Sequence, residues 1–493
     1  MGVIKRQGIK QSIVNYAGVF LAAFSTIFIY VLDQELYGAA RFVIDTAFLL
    51  SPFILLGATS VAIRYFPIFK NEENGHNGLL SILGIQFLIG GIIVIAVLFL
   101  FRERIFDLYA DKSEIFTSQF FKIAILALII ALFNMLYSYT SNFKRIVVPS
   151  IFLNLIKVSL PILVLLCYYE YVPFSFLING VLGTYILALL GILIYLSHLG
   201  QLKFNFKFDI VDKPLMKGMS SFAMFSLLSG MGSMLAFKID SLMVSTLIDF
   251  ENNGVYTIAL FIGNAIAIPT TAILQIASPI VADAIKNKDI PQVDSLYGKS
   301  SLNLLIFGVL LFVLVMAGIL DLFHLMPTDN FDIHSGYYIV MAIGLAKLVD
   351  MATSINSQII NYSKYYKFNV VAILLMAVIN IILNLVLIPK YQVIGAAMAT
   401  FLSLTIYNLI KLVFIYTKFK IQPFSVQTLW VLGIGLLSFG IAYFIPDTGQ
   451  PFLNLVLKSM VIAAIYLTLT LRLKVSEDIN EMWQQIIQKF GLG

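Results

Sequence analysis

Apolar segments recur along the whole chain, with only short polar breaks between them. Block by block, the pattern predicts membrane-crossing helices over 9–32, 41–66, 79–101, 116–142, 147–169, 174–197, 216–248, 254–282, 299–320, 335–360, 367–389, 393–417, 426–445 and 452–472. That makes fourteen, and no break exceeds about twenty residues, so an extramembrane catalytic domain has nowhere to fit. After Arg472 the pattern changes. Val475, Ile479, Met482, Trp483, Ile486, Ile487 and Phe490 fall at helical spacing, behind Ser476 as a cap and Glu477 and Asp478 in the first turn. This predicts an amphipathic helix over 474–493 lying on the cytoplasmic leaflet, with a docking surface for a partner as the alternative.

Composition sharpens the picture. Of 493 residues, 60% are hydrophobic and 12% charged, against about half and a quarter in soluble domains. Soluble enzymes, nucleic-acid-binding proteins and secreted disulfide scaffolds are excluded, and an all-α polytopic membrane protein remains. Cys167 is the only cysteine, so no internal disulfide forms. The first apolar stretch is too long for a signal-peptide core and lacks a small-residue cleavage site, which predicts a retained span. The net charge of +6 then reads as loop anchoring rather than nucleic-acid binding. Twenty-one of the 32 lysines and arginines, from Lys5, Arg6 and Lys10 to Lys489, fall in breaks on one side of the membrane. Five (Arg41, Arg102, Arg104, Lys112 and Lys390) fall on the other. An even span count with this asymmetry predicts both termini in the cytoplasm.

The chain also repeats itself. Asp33-x-Glu35-x-x-Gly38 returns as Asp249-x-Glu251-x-x-Gly254, offset by 216, and Pro52 and Pro269 follow, offset by 217. Each copy holds six helices, an even number, so the copies share one topology and would be related by a pseudo-two-fold axis along the membrane normal. The predicted organisation is an N-terminal lobe over 1–200, a C-terminal lobe over 201–420, a final helix pair over 421–473 and the tail.

Charges inside spans are expensive and mark function. They are Asp45, Lys122, Lys157, Lys238, Asp240, Lys347, Asp350, Lys411 and Lys458. Lys122 and Lys458 sit near span ends and are expected to snorkel; Lys347 and Asp350 share a face and are able to neutralise each other. The excess of lysines points to an anionic substrate, with Arg64, Lys157, Lys238 and Lys411 as cavity residues, Arg64 having positive-inside anchoring at the cytoplasmic end of its span as the alternative. Asp240, the pair Asn380 and Asn384, and the stretch Gly395-Ala396-Ala397-Met398-Ala399-Thr400 offer oxygen ligands to a hard cation; the other reading is interhelical hydrogen bonding and close packing. The histidines fall in breaks without metal-ligand spacing.

Fourteen spans in two six-helix lobes and a final pair resemble the multidrug/oligosaccharidyl-lipid/polysaccharide exporter superfamily, and within it a Wzx-type polysaccharide-biosynthesis flippase. The stretches that carry the resemblance include Leu36-Tyr37-Gly38, Leu56-Gly57, Arg64-Tyr65-Phe66-Pro67, Lys238-Ile239-Asp240, Gly254-Val255-Tyr256, Ile268-Pro269 and Ile388-Pro389. The resemblance implies transport of undecaprenyl-diphosphate-linked sugars across a bacterial inner membrane by alternating access, without catalysis or a cofactor. It also implies a cargo lipid tail running along helices thirteen and fourteen, and glycan-polymerase or assembly partners. For ion coupling, by Na⁺ or H⁺, it points to Asp240, Asn380, Asn384, Ala396 and Thr400. Asn384 departs from the acidic residue common at that place, which leaves one formal charge in the set. The rivals are a cation-coupled multidrug antiporter, a glycan polymerase or ligase, and a non-transporting scaffold.

Overall fold

The computed structural model describes residues 17–104, 114–143, 145 and 147–490. Lys5, Arg6, Lys10, Lys112 and Lys144 lie outside the described residues. Among those described, secondary structure is helical throughout, as lipid requires of a chain that must satisfy its backbone within each crossing segment.

The helices are α1 (Ala17–Phe28), α2 (Gln34–Leu55), α3 (Ala58–Arg64), α4 (Phe66–Phe69), α5 (Leu79–Leu100), α6 (Glu114–Ser141), α7 (Val147–Tyr168), α8 (Phe174–His198) and α9 (Lys213–Leu247). They continue with α10 (Phe250–Ala265), α11 (Ile268–Lys286), α12 (Ile290–His324), α13 (Ile333–Thr353), α14 (Asn356–Tyr362), α15 (Tyr366–Phe419), α16 (Val426–Tyr443), α17 (Pro451–Arg472) and α18 (Glu477–Phe490). Eleven are long and apolar enough to cross a membrane. One of these, α15, reverses at Gln392 (φ 52, ψ −139) and supplies two crossings. With α1 and α9 added, the fourteen predicted spans all have a helical counterpart among the described residues.

Breaks in the helices have local causes. Asp33 caps α2 by accepting the Leu36 amide at 2.9 Å. The helix therefore begins well before the predicted start, and Arg41 lies inside it rather than in an outer loop. At the other end Leu56 (φ 46) and Gly57 (φ 84) turn the chain into α3. A side chain at Gly57 would be strained and would also strike the Ala223 carbonyl.

By packing, the chain divides into residues 1–257 and 258–493. In the first unit α9 packs along α2 and α3. The repeated motifs meet there. A Cβ on Gly38 would strike the Phe250 carbonyl, and one on Gly254 would strike the Gln34 carbonyl. Phe250 lies 216 residues after Gln34, the repeat offset, so each copy presents the same glycine to the same backbone position of the other.

In the second unit, one apolar core joins α12 to α16 and α17, around Leu305, Val309, Val431, Ile434, Ile462 and Tyr466. The tail begins by docking on it. Val475 is buried, Ser476 Oγ meets Asn303 Oδ1 at 2.7 Å, and Asn303 donates to Asp478 at 2.7 Å. Met482 and Trp483 remain exposed.

Candidate functional site

The polar interior of the first unit begins with two residues four apart on α2, hence on one face. Arg41 Nη2 donates to both Asp45 carboxylate oxygens at 2.9 and 2.8 Å, and Lys238 of α9 donates to Asp45 Oδ1 at 2.8 Å. Asp45 is 1% exposed. A buried carboxylate is tolerated only with such partners, and here two cations share one. Two residues further on, Asp240 accepts from Tyr256 Oη at 3.1 Å. Ser241 Oγ donates to Asn253 Oδ1, whose amide nitrogen donates to the Gly38 carbonyl at 2.9 Å. These bonds tie α9 and α10 to the start of α2.

Nearer the beginning of α9 a second seam forms. Ser226 Oγ and Ser60 Oγ approach to 2.5 Å, and Arg64, one turn past Ser60 on α3, stacks its guanidinium on the Phe222 ring at 4.2 Å. The Ser60–Ser226 contact keeps the two helices close because both side chains are small. Between this seam and the Asp45 cluster lies a cavity of 410 Å³. Its polar lining is Ser51, Thr59, Ser60, Asn134, Tyr137, Ser138, Ser226 and Ser229, and among the described residues no charged one is part of the lining. Lys157 lies elsewhere, on α7, where its ammonium and Asn154 face Gly18 of α1.

The second unit holds the remaining predicted site residues. Asn384 donates to Asn380 Oδ1 at 3.0 Å, Asn380 to Ser403 Oγ at 3.3 Å, and Ser403 to the Thr400 carbonyl at 3.1 Å. Ala396 and Thr400 are buried one turn apart on the same arm of α15 as Ser403. The structure thus gathers the asparagine pair and the second arm into one buried polar patch. Its amide, carbonyl and hydroxyl oxygens are hard donors that fit an alkali cation, although Asn380 Oδ1 is engaged by its neighbour. Asp240 belongs to the first unit.

Lys411 is 1% exposed and enclosed by protein. Its ammonium donates to Asn356 Oδ1 at 2.9 Å and Ser357 Oγ at 3.0 Å, and lies 3.7 Å from the Tyr407 ring centroid. Asn356 and Ser357 open α14 just after Ser354 (φ 42), where α13 gives way to it, and Tyr407 stands one turn before Lys411 on α15. Asp350 accepts from Asn408 at 3.2 Å and also acts electrostatically on Lys347, the neighbour it was expected to neutralise. Lys458, expected to snorkel, pairs with Asp321 at 2.6 Å, and Asn454 bridges Asp321 to Asp447. The Gly449 amide and Asn454 hold the Asp447 carboxyl below the usual carboxylate range.

Two functional features escaped the sequence pattern. Arg41 would have emerged had Asp33-x-x-Leu36, with Glu35 in the first turn, been taken as a helix start. The hydroxyl cavity left no signal, because its serines and Asn134 are unremarkable singly and converge only in three dimensions.

A family model described as "Polysaccharide biosynthesis protein" matches residues 9–285. No curated protein sequence matches. Among solved structures, the lipid II flippase MurJ in an inward closed conformation is similar at 18% identity and TM-score 0.73, over 95% of this chain and 100% of that one. An inward-facing multidrug resistance MATE family transporter of the MOP superfamily is similar at 13% identity and TM-score 0.62, covering 82% and 94%. A MOP superfamily transporter from Pyrococcus furiosus is similar at 12% identity and TM-score 0.54, covering 85% and 95%. At these identities the likeness is one of fold.

Proposed function

The chain belongs to the polysaccharide biosynthesis protein family, a multi-pass membrane protein with the fold of MOP superfamily flippases and transporters, and on that premise we propose what it carries. The cargo is an undecaprenyl-diphosphate-linked oligosaccharide, moved from the cytoplasmic to the outer leaflet of a bacterial inner membrane for O-antigen, capsule or related polysaccharide synthesis. Both termini face the cytoplasm in this reading, as the lysine and arginine asymmetry requires.

The observation that carries the proposal is the 410 Å³ cavity walled by serines, Thr59, Asn134 and Tyr137. A glycan leaving water must exchange each hydroxyl's hydrogen bonds for new ones. Neutral hydroxyl and amide groups supply donors and acceptors together, and a tyrosine ring adds an apolar face. A pocket for cationic drugs would instead present carboxylates, and this lining has none, which weighs against the antiporter.

Of the four basic candidates, Arg64, at the seam beside the cavity, keeps the role of meeting the diphosphate, whereas Lys157 faces Gly18 of α1, away from this lining. Lys238 is engaged by Asp45 and Lys411 by its helix break, and both serve structure here. Coupling is assigned within each unit taken by itself: Asn380, Asn384, Ala396 and Thr400 as the oxygen set that would hold Na⁺ in the second, and Asp240 as the carboxylate that would serve for H⁺ in the first. Each charge re-entering contributes about 2.3 kcal/mol per 100 mV of membrane potential.

The test is a vesicle assay in which an impermeant glycosidase reports lipid-linked oligosaccharide reaching the far leaflet. The wild-type chain should expose the glycan in response to an ion gradient. Asn134→Leu with Tyr137→Phe should cut the rate at least ten-fold, and Asp240→Asn should remove the gradient response. No exposure above protein-free vesicles, alongside efflux of cationic drugs, would sink the flippase reading.

A further inference from the structure

On the other side of the α3–α9 seam lies a groove of 570 Å³. Of its lining residues only Gln86 and Ser220 are polar. Gln86 directs its amide inward, donating to the Leu56 carbonyl at 2.5 Å, where the α2 break leaves that oxygen outside a helix. The walls are otherwise aliphatic and methionine: Ile82, Ile85 and Ile89 of α5 face Met216, Met219 and Met224 of α9. Ile85, Ile89, Met216 and Met224 are 41–57% exposed, so the groove opens onto the surface that membrane-crossing helices present to lipid. Phe208 and Val211 close one end. The segment carrying them is fixed across the start of α5, where the Asn205 amide donates to Ser81 Oγ at 3.0 Å and His76 meets Gln201 at 2.7 Å.

Groove and hydroxyl cavity share a wall. Leu227 lines both, and the Gly57–Ala223 and Ser60–Ser226 approaches stand between them. At that partition stands Arg64, exposed, on the same face of α3 as Ser60. The order across the seam is therefore apolar channel, fixed cation, neutral hydroxyl cavity. A lipid-linked glycan has the same order along its length: isoprenoid chain, diphosphate, sugar.

We propose that the α5–α9 groove is the binding site for the isoprenoid chain of the cargo, with the diphosphate at Arg64 in the seam and the glycan in the hydroxyl cavity. This rests on the flippase reading and places the tail in the first unit rather than along α16 and α17. Methionines suit the role, since flexible thioethers conform to an irregular branched chain. Small side chains at Gly57, Ser60 and Ser226 allow the partition to part around a diphosphate.

The experiment uses the full chain in lipid nanodiscs with an undecaprenyl diphosphate carrying a diazirine in its isoprenoid chain. After irradiation, cross-links should map to residues 82–89 and 216–227. Unlabelled undecaprenyl diphosphate should compete, and excess phosphatidylglycerol should not. Met224→Trp and, independently, Ile85→Trp fill the groove from exposed positions and should each reduce the cross-link at least ten-fold. Cross-links that map specifically to α16 and α17, or that persist in both variants, would overturn the groove assignment while leaving the flippase reading intact. Equal competition by phosphatidylglycerol would make the groove a seat for ordinary bilayer chains and also overturn it. Absence of any specific cross-link on the chain would remove both the groove and the flippase reading.

Discussion

Lys238 in the first unit and Lys411 in the second are both drawn into protein among membrane-crossing helices, yet they are accommodated differently. Lys238 shares the Asp45 carboxylate with Arg41, so its environment is built from formal charges. Lys411 is held by an amide oxygen, a hydroxyl and an aromatic ring at an interrupted helix. In the first arrangement each charge depends on the others, and removing the anion strands two cations. In the second the hydrogen-bond partners are neutral, with the Asp350 carboxylate acting only from beyond them, and losing the cation leaves polar groups that can turn to one another. A lysine among membrane-crossing helices is thus not one kind of object, and its partners decide whether it stores electrostatic tension or fills a hole.

The contrast can be broken most directly at its anion. Asp45→Asn should lower stability in detergent by about 3–5 kcal/mol, the usual cost of leaving buried charge without its partner. Thermal unfolding followed by size-exclusion would show this. Adding Lys238→Met should recover part of the loss, and no recovery would mean that the two side chains are not energetically coupled. Lys411→Met should cost less, about 1–3 kcal/mol by the same measurement, because it removes charge-assisted hydrogen bonds without creating a stranded charge. A larger loss than that of Asp45→Asn would reverse the comparison. At the small end, Asp478→Ala removes an exposed pair with Lys299, 3.8 Å apart, and should change the unfolding midpoint by no more than about 0.5 kcal/mol would. A larger shift would show that the tail helix contributes to the unit's core through Asn303 rather than only resting on it.

What the sequence disclosed, and what it hid, follows from the range of the forces involved. Lipid imposes its demand on every crossing residue, so the helices and their alternation could be seen without coordinates, as could the duplication marked by Gly38 and Gly254. Arg41 was misplaced by a local competition, in which the Asp33 cap starts α2 ahead of the apolar block. The enclosure of Lys411 depends on a helix interruption at Ser354 far away in the chain, which no pattern around Lys411 itself announces. The asparagine pair at 380 and 384 could be read from its spacing alone, and its bond to Ser403 was the part that required the fold. Lys458 resisted for a related reason, since its partner Asp321 sits at the end of another helix.

The meeting of Gly38 with the backbone at Phe250, and of Gly254 with that at Gln34, has a further consequence. The contact is self-complementary, of the kind two identical chains form across a dyad, here made within one polypeptide. Either glycine therefore answers to the main chain of the other motif copy. A methyl group added at one position cannot be accommodated by repacking its own helix and needs a matching retreat in the duplicate. Each copy of the motif is in this sense a template against which the other copy must continue to fit.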